Sequence, residues 1–169
     1  GVSKFEFNLQ RTGSGTDYNI VAVADPQTYS DEHFALFAGE PIEDLAKTAK
    51  GLDGVSVGLS LGDISWDRIE ILDMYKKEIV RTGIPFYPVI GNHDHDYSPS
   101  TDVEAARKFE EYFGPSYYSF NIGKLHYVVL DNIIMAVENG KVQKNGYAYG
   151  LTDREWAWLQ NDLKFVDKS

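Results

Sequence analysis

Three apolar runs rich in β-branched residues each end, on the carboxyl side, in a cluster of polar groups. This coincidence constrains the chain more than any other feature. Tyr18-Asn19-Ile20-Val21-Ala22-Val23-Ala24 stops at Asp25-Pro26-Gln27, residues 55–61 stop at Gly62-Asp63, and residues 84–90 stop at Gly91-Asn92-His93-Asp94. Short runs of this kind read as buried strands, and the Pro and Gly residues beside them as their ends. Pro85 and Pro88 mark the third as irregular, because proline cannot donate to a strand ladder. Helical patterns lie between the runs. Pro41 opens one and Gly51 closes it. Residues 67–81 carry Ile71, Met74, Tyr75, Glu78 and Ile79 at helical spacing, with Gly83 placed to stop them. The alternation predicts an α/β domain with a largely parallel sheet. In open sheets of that class a ligand sits beyond the carboxyl ends of the strands, which is where the polar groups fall.

The second half of the chain reads more locally. Thr101-Asp102-Val103-Glu104 is a capping-box sequence opening a helix that stops before Gly114-Pro115. Residues 117–122 and 125–130 predict a hairpin turning at Gly123-Lys124. Residues 132–150, with Asn-Gly pairs at 139–140 and 145–146, read as a polar loop. Thr152-Asp153-Arg154-Glu155 is a second capping box, opening a helix with Trp156, Leu159, Leu163 and Val166 on one stripe. Residues 3–10 read as a stray strand with Phe5, Phe7 and Leu9 on one face. Residues 1–17 are thus an N-terminal extension and residues 18–169 one domain.

Charge narrows the partners. With 16 Lys and Arg against 26 Asp and Glu, the formal net charge is −10. That repels polyanions, and no basic patch of the kind nucleic acid requires is visible. A small phosphorylated substrate stays open, because bound cations reverse the field locally. The chain has no Cys, which excludes disulfides, thiolate metal sites and cysteine nucleophiles and suits cytoplasm, periplasm or secretion. No apolar run approaches the ~20 residues of a membrane span. The opening Gly1-Val2-Ser3-Lys4-Phe5-Glu6 lacks the apolar core of a signal peptide, and its Gly1 reads as an internal start or a tag remnant.

The strand-end clusters carry hard donors. Asp25 and Asp63 offer carboxylates, Asn92 an amide oxygen and His93 a titratable ring, a set suited to Mn, Fe or Zn. Gly62 and Gly91 let the backbone turn sharply and come close to a ligand. Taken in order, Asp25, Gly62-Asp63 and Gly91-Asn92-His93-Asp94 resemble the motifs of the calcineurin-like metallophosphoesterases. Gln27 stands where that family usually has His. The resemblance covers residues 18–166 and ends where the family's last His motifs, a lone His and Gly-His-x-His, would begin.

The resemblance implies the N-terminal part of a four-layer α/β/β/α sandwich, incomplete at its C-terminus, and hydrolysis of a phosphate mono- or diester. It further implies two divalent or trivalent metal ions (Mn, Fe or Zn), one held by Asp25 and Gln27, the other by Asn92, with Asp63 bridging. A shared carboxylate offsets the repulsion between two close cations. It assigns His93 to stabilising the phosphoryl oxygens or protonating the leaving group, oriented by Asp94. Without the later His motifs, the chain alone is expected to be weak or inactive, and either to associate or to need a further segment. The alternative from another class is a non-catalytic metal-binding or interaction fragment. A nucleotide-binding domain fits poorly, since no Gly-rich loop follows the first strand.

The remaining candidates read as ordinary structure. His95 and Asp96 are expected as solvated loop residues, His33 in a surface turn, and His126 packed within a strand. Trp66, just after the second cluster, reads as packing first and as a wall of the site second. Trp156 and Trp158 read as helix anchors.

Overall fold

A computed structural model of the chain describes residues 17–167; the expected strand at residues 3–10 lies outside them. Strands β1 (Tyr18–Val23), β2 (Val55–Leu61) and β3 (Phe86–Val89) form a parallel sheet in the order β1-β2-β3. The domain is mixed α/β, as the alternation predicts. Pro88 is tolerated because β3 ends the order and pairs with β2 alone among the described strands.

On one face of the sheet, helices α1 (Asp31–Gly39) and α3 (Ile71–Ile79) share a core with Phe86 of β3, and helix α2 (Pro41–Gly51) packs beside α1. The core beneath them gathers Phe34, Ile64, Ile71, Leu72, Tyr75 and Phe109, and the Ser60 hydroxyl of β2 meets the Tyr75 hydroxyl at 2.6 Å. The opposite face is covered in part by a hairpin, β4 (Tyr118–Ile122) and β5 (Leu125–Val129). Tyr87 of β3 stacks on Phe120 at 3.8 Å, and Phe120 on Tyr127. Away from that ladder Ile20 and Leu61 remain 42% and 44% exposed, so β1 is less buried than its composition suggests.

Four elements differ from expectation. Residues 31–39 form α1 instead of a surface turn: the Ser30 hydroxyl accepts from the His33 amide at 3.2 Å, and Phe34 and Phe37 face inward at helical spacing. The helix expected from residue 67 starts at Ile71, because Asp67 takes a left-handed conformation, φ 56°. The helix after Thr101 breaks into α4 (Asp102–Ala105) and α5 (Arg107–Phe113), since the Ala105 carbonyl accepts from the Asp96 amide at 2.9 Å. Residues 132–150 are mainly a second hairpin, β6 (Ile133–Glu138) and β7 (Lys141–Tyr149). Asn139 and Gly140, at φ 51° and 71°, make its tight turn. Its buried residues Ile133, Met135 and Val142 pack with Ala105, against Tyr97 and Tyr147.

Helix α6 (Asp153–Asp162) begins at Thr152, whose hydroxyl accepts from the Glu155 amide at 3.2 Å. Its inward face is not the expected stripe: Trp156 is 52% exposed, whereas Glu155 is buried and accepts from the Asp131 amide at 2.9 Å. Burial raises the Glu155 carboxyl to about 7; the Asp131 amide opposes the shift and the Asp131 charge adds to it. An unfolded glutamate titrates near about 4.3. The folded state therefore binds the extra proton between those values, and stability is lost as pH rises through about 7. Glu155→Gln keeps an acceptor oxygen without the charge. It should gain stability relative to the parent between pH of about 5 and 8, by about 2–3 kcal/mol at most. Urea unfolding of both proteins at the two pH values checks this; a constant difference between them would refute it.

No helix among the described residues is long and apolar enough to cross a membrane.

Candidate functional site

The polar ends of β1, β2 and β3 meet. The chain leaves β1 and β2 through Asp25, Gln27, Asp63 and Asp67, all in the left-handed region at φ 48°, 42°, 47° and 56°. Asp tolerates that region better than most residues, yet each such residue still costs on the order of 1 kcal/mol. Among the described residues, the other non-glycine residues with positive φ, Asn139 and Asn145, both belong to Asn-Gly pairs of the β6–β7 hairpin. Strain is therefore concentrated at the strand ends.

Backbone hydrogen bonds hold the loops together. The Gln27 amide donates to the Asp63 carbonyl at 2.9 Å, and the Trp66 amide to the Thr28 carbonyl at 3.0 Å. Gly62 turns at φ 77°. At Gly91 a Cβ would lie 2.1 Å from Asp63 Oδ1 and 2.3 Å from the Asp63 amide nitrogen, a space only glycine leaves open.

Asp63 is the meeting point. Its Oδ2 accepts from Gln27 Nε2 at 3.1 Å and its Oδ1 from the His93 amide at 3.2 Å, so one carboxylate joins all three loops. The side chains of Asp25 and Asn92 make no hydrogen bond or ion pair with other described residues, which leaves their oxygens free. Among the described residues no group of three or more His, Cys, Asp or Glu side chains is arranged to hold a metal ion. The strand-end set is instead two carboxylates and two amides. Its chemistry fits a hard divalent cation, and the missing side chain at Gly91 lets the Asp63 carboxylate lie against the loop after β3.

His93 has a partner the sequence did not suggest. Its Nδ1 lies 2.7 Å from Asp67 Oδ1. Tyr97 donates to the same oxygen at 2.7 Å, and Lys144 of β7 lies 2.8 Å from Oδ2. Burial pushes the Asp67 carboxyl up, but hydrogen bonds from Lys144, His93 and Tyr97 outweigh it and hold the group below its ordinary value. An ionised carboxylate only accepts, so His93 donates from Nδ1, and its Nε2 makes no hydrogen bond to a described residue. The signal for Asp67 was a second carboxylate four residues after Asp63. Nothing in the sequence pointed to Tyr97 or Lys144.

The expectation that Asp94 orients His93 is corrected. Asp94 is fully buried and accepts from three backbone amides, Ile64 at 3.2 Å, Ser65 at 2.8 Å and Gly91 at 3.0 Å. Both of its oxygens are thus used in tying the loop after β2 to the loop after β3. Burial raises its carboxyl to about 7 against the pull of those amides. His95 is also corrected: it is buried, with Nδ1 3.0 Å from the Gly91 carbonyl and Nε2 4.0 Å from Asp131. His126 packs as expected, joining Asn121 and Asp162. His33 is exposed in α1, its ring tilted 47° against that of Tyr29 with centroids 3.9 Å apart.

A cavity of about 670 Å³ lies elsewhere, lined by Arg107, Asp131, Glu155 and Trp158 among others, and holds none of the strand-end groups. Compared with family models, curated proteins and solved structures, the chain matches none.

Proposed function

We propose that the strand-end site hydrolyses a phosphate mono- or diester with divalent metal ions, in the manner of the calcineurin-like metallophosphoesterases. The observation that carries this reading is the Asp63 carboxylate joining the loops that bear Gln27 and His93. Asp25 and Gln27 would hold one ion and Asn92 the other, with Asp63 between them. Ions bound there supply Lewis acidity and an activated water. In a four-layer sandwich, a second sheet would cover the face where Ile20 and Leu61 lie open.

The protein's own groups account for the rest. A water oxygen bonds to phosphorus as the ester P–O bond breaks, and the water's proton passes to solvent. The leaving oxygen takes a proton from Nε2 of His93 in its doubly protonated form, while Asp67 stabilises the imidazolium through Nδ1. Lys144 sets its positive charge beside the same carboxylate. No imidazole stands in a ligand position of this set, so these residues alone hold an ion less tightly than a set that includes imidazole would.

Purified protein assayed with Mn and a chromogenic aryl phosphate, with its metal content measured after dialysis, tests the proposal. Metal-dependent turnover is expected, weak for this chain by itself. Bound metal without turnover would favour the non-catalytic metal-binding module, and neither would defeat both readings. His93→Ala should keep its metal and lose about 10²–10⁴-fold in kcat, less for good leaving groups, which need little protonation. Loss of metal in that variant would make His93 a ligand instead.

A further inference from the structure

We propose that Trp66 is a positioning residue for His93, holding the plane of the imidazole so that Nε2 faces the leaving group. The inference rests on the phosphoesterase reading above for its catalytic consequence and on geometry for the placement. The Trp66 and His93 rings stack with centroids 4.6 Å apart and planes 17° apart. A histidine side chain has two rotatable bonds. Its hydrogen bond to Asp67 at 2.7 Å fixes one ring atom and leaves rotation about that contact. A flat indole against the ring face removes that rotation.

The backbone keeps the indole in place. The Trp66 amide donates to the Thr28 carbonyl at 3.0 Å, and its neighbours on both sides bind the His93 carbonyl, Ser65 through Oγ at 2.8 Å and Asp67 through its amide at 3.3 Å. Residues 65–67 thus grip His93 at its backbone, ring face and Nδ1. Trp66 nevertheless stays 46% exposed while the His93 side chain is 12% exposed. A tryptophan serving the core would be covered; this one covers a histidine.

The test uses the full chain with Mn and esters whose leaving groups run from nitrophenol through phenol to a simple alcohol. Trp66→Ala should lose about 10-fold in kcat on the poorest leaving group and less than about 2-fold on the best, with KM and metal content unchanged. Trp66→Phe, which keeps a flat ring, should recover most of the loss. A uniform loss across the series, a change in KM alone, or loss of metal would overturn the proposal. Proton NMR of the His93 ring gives an arm independent of turnover. In the parent its carbon-bound protons should be displaced upfield by the indole ring current, and Trp66→Ala should abolish the displacement. Unchanged shifts would overturn the placement even in an active enzyme. A parent without phosphoesterase activity would instead overturn the proposed reaction, and with it the catalytic consequence, leaving the ring-current result to decide the placement.

Discussion

Asp63→Asn should strip the site of metal after dialysis and lower kcat/KM by about 10²-fold or more, a larger loss than Gln27→Ala produces. Outer partners of metal ligands already cost about 10–100-fold when removed, and Asp63 is proposed to touch both ions. Its two oxygens also accept from Gln27 and from the His93 amide. An asparagine must turn its NH₂ toward one of those donors, so it loses the charge and one loop contact together. Gln27→Ala removes a single neutral donor and leaves the carboxylate. Elemental analysis of parent and both variants, beside the aryl phosphate assay, decides the ranking. Equal metal content in Asp63→Asn and the parent would remove Asp63 from the bridging position.

The largest effect on stability is expected at Asp94. Asp94→Ala leaves the amides of Ile64, Ser65 and Gly91 without an acceptor in a fully buried place. An unsatisfied buried amide costs about 1–3 kcal/mol, so the variant should lose about 3–5 kcal/mol, near the upper end for single substitutions. For a domain of this size that lowers Tm by about 10 °C. Asp94→Asn keeps one acceptor oxygen and should fall between. Calorimetry measures the shift, and the phosphoesterase assay run below the transition separates two roles. A variant with the parent's Tm and a collapsed kcat would return Asp94 to the catalytic role that the Gly-Asn-His-Asp motif suggested. A large loss of Tm supports the part the structure assigns, a clamp between two loops.

Local patterns proved legible where the backbone conformation follows from neighbouring residues. Strand β2 and helix α2 lie where apolar runs, Pro41 and Gly51 put them. Gly83, at φ 76°, stops its helix as a left-handed cap. The β4–β5 hairpin turns at Gly123 and Lys124 as expected. Apart from α1, whose Ser30 cap and Phe34–Phe37 spacing are local, the readings that failed share one cause, a tertiary partner that changed what a residue does. Asp67 has the spacing to begin a helix, but His93, Tyr97 and Lys144 hold it in the site. Residues 132–150 carry enough polar side chains to look like a loop. Only packing of Ile133, Met135 and Val142 on Ala105 makes them a hairpin. Glu155 completes a capping-box sequence, yet its carboxylate turns inward to the Asp131 amide.

The sequence by itself determined the alternating strands and helices, the glycines at Gly62 and Gly91, and the polar residues at the ends of three parallel strands. Each of these depends on short-range conformational preference and on which side of a strand is apolar, and both are written in adjacent residues. Only the tertiary structure decided which side chain serves which. It gave Asp67 to His93, turned Asp94 onto backbone amides, buried His95, set Trp66 over the imidazole and brought Lys144 from a distant hairpin to Asp67. Such pairings depend on how loops far apart in the chain pack at distances of a few ångströms. The periodicity that places a strand or a helix does not encode that information.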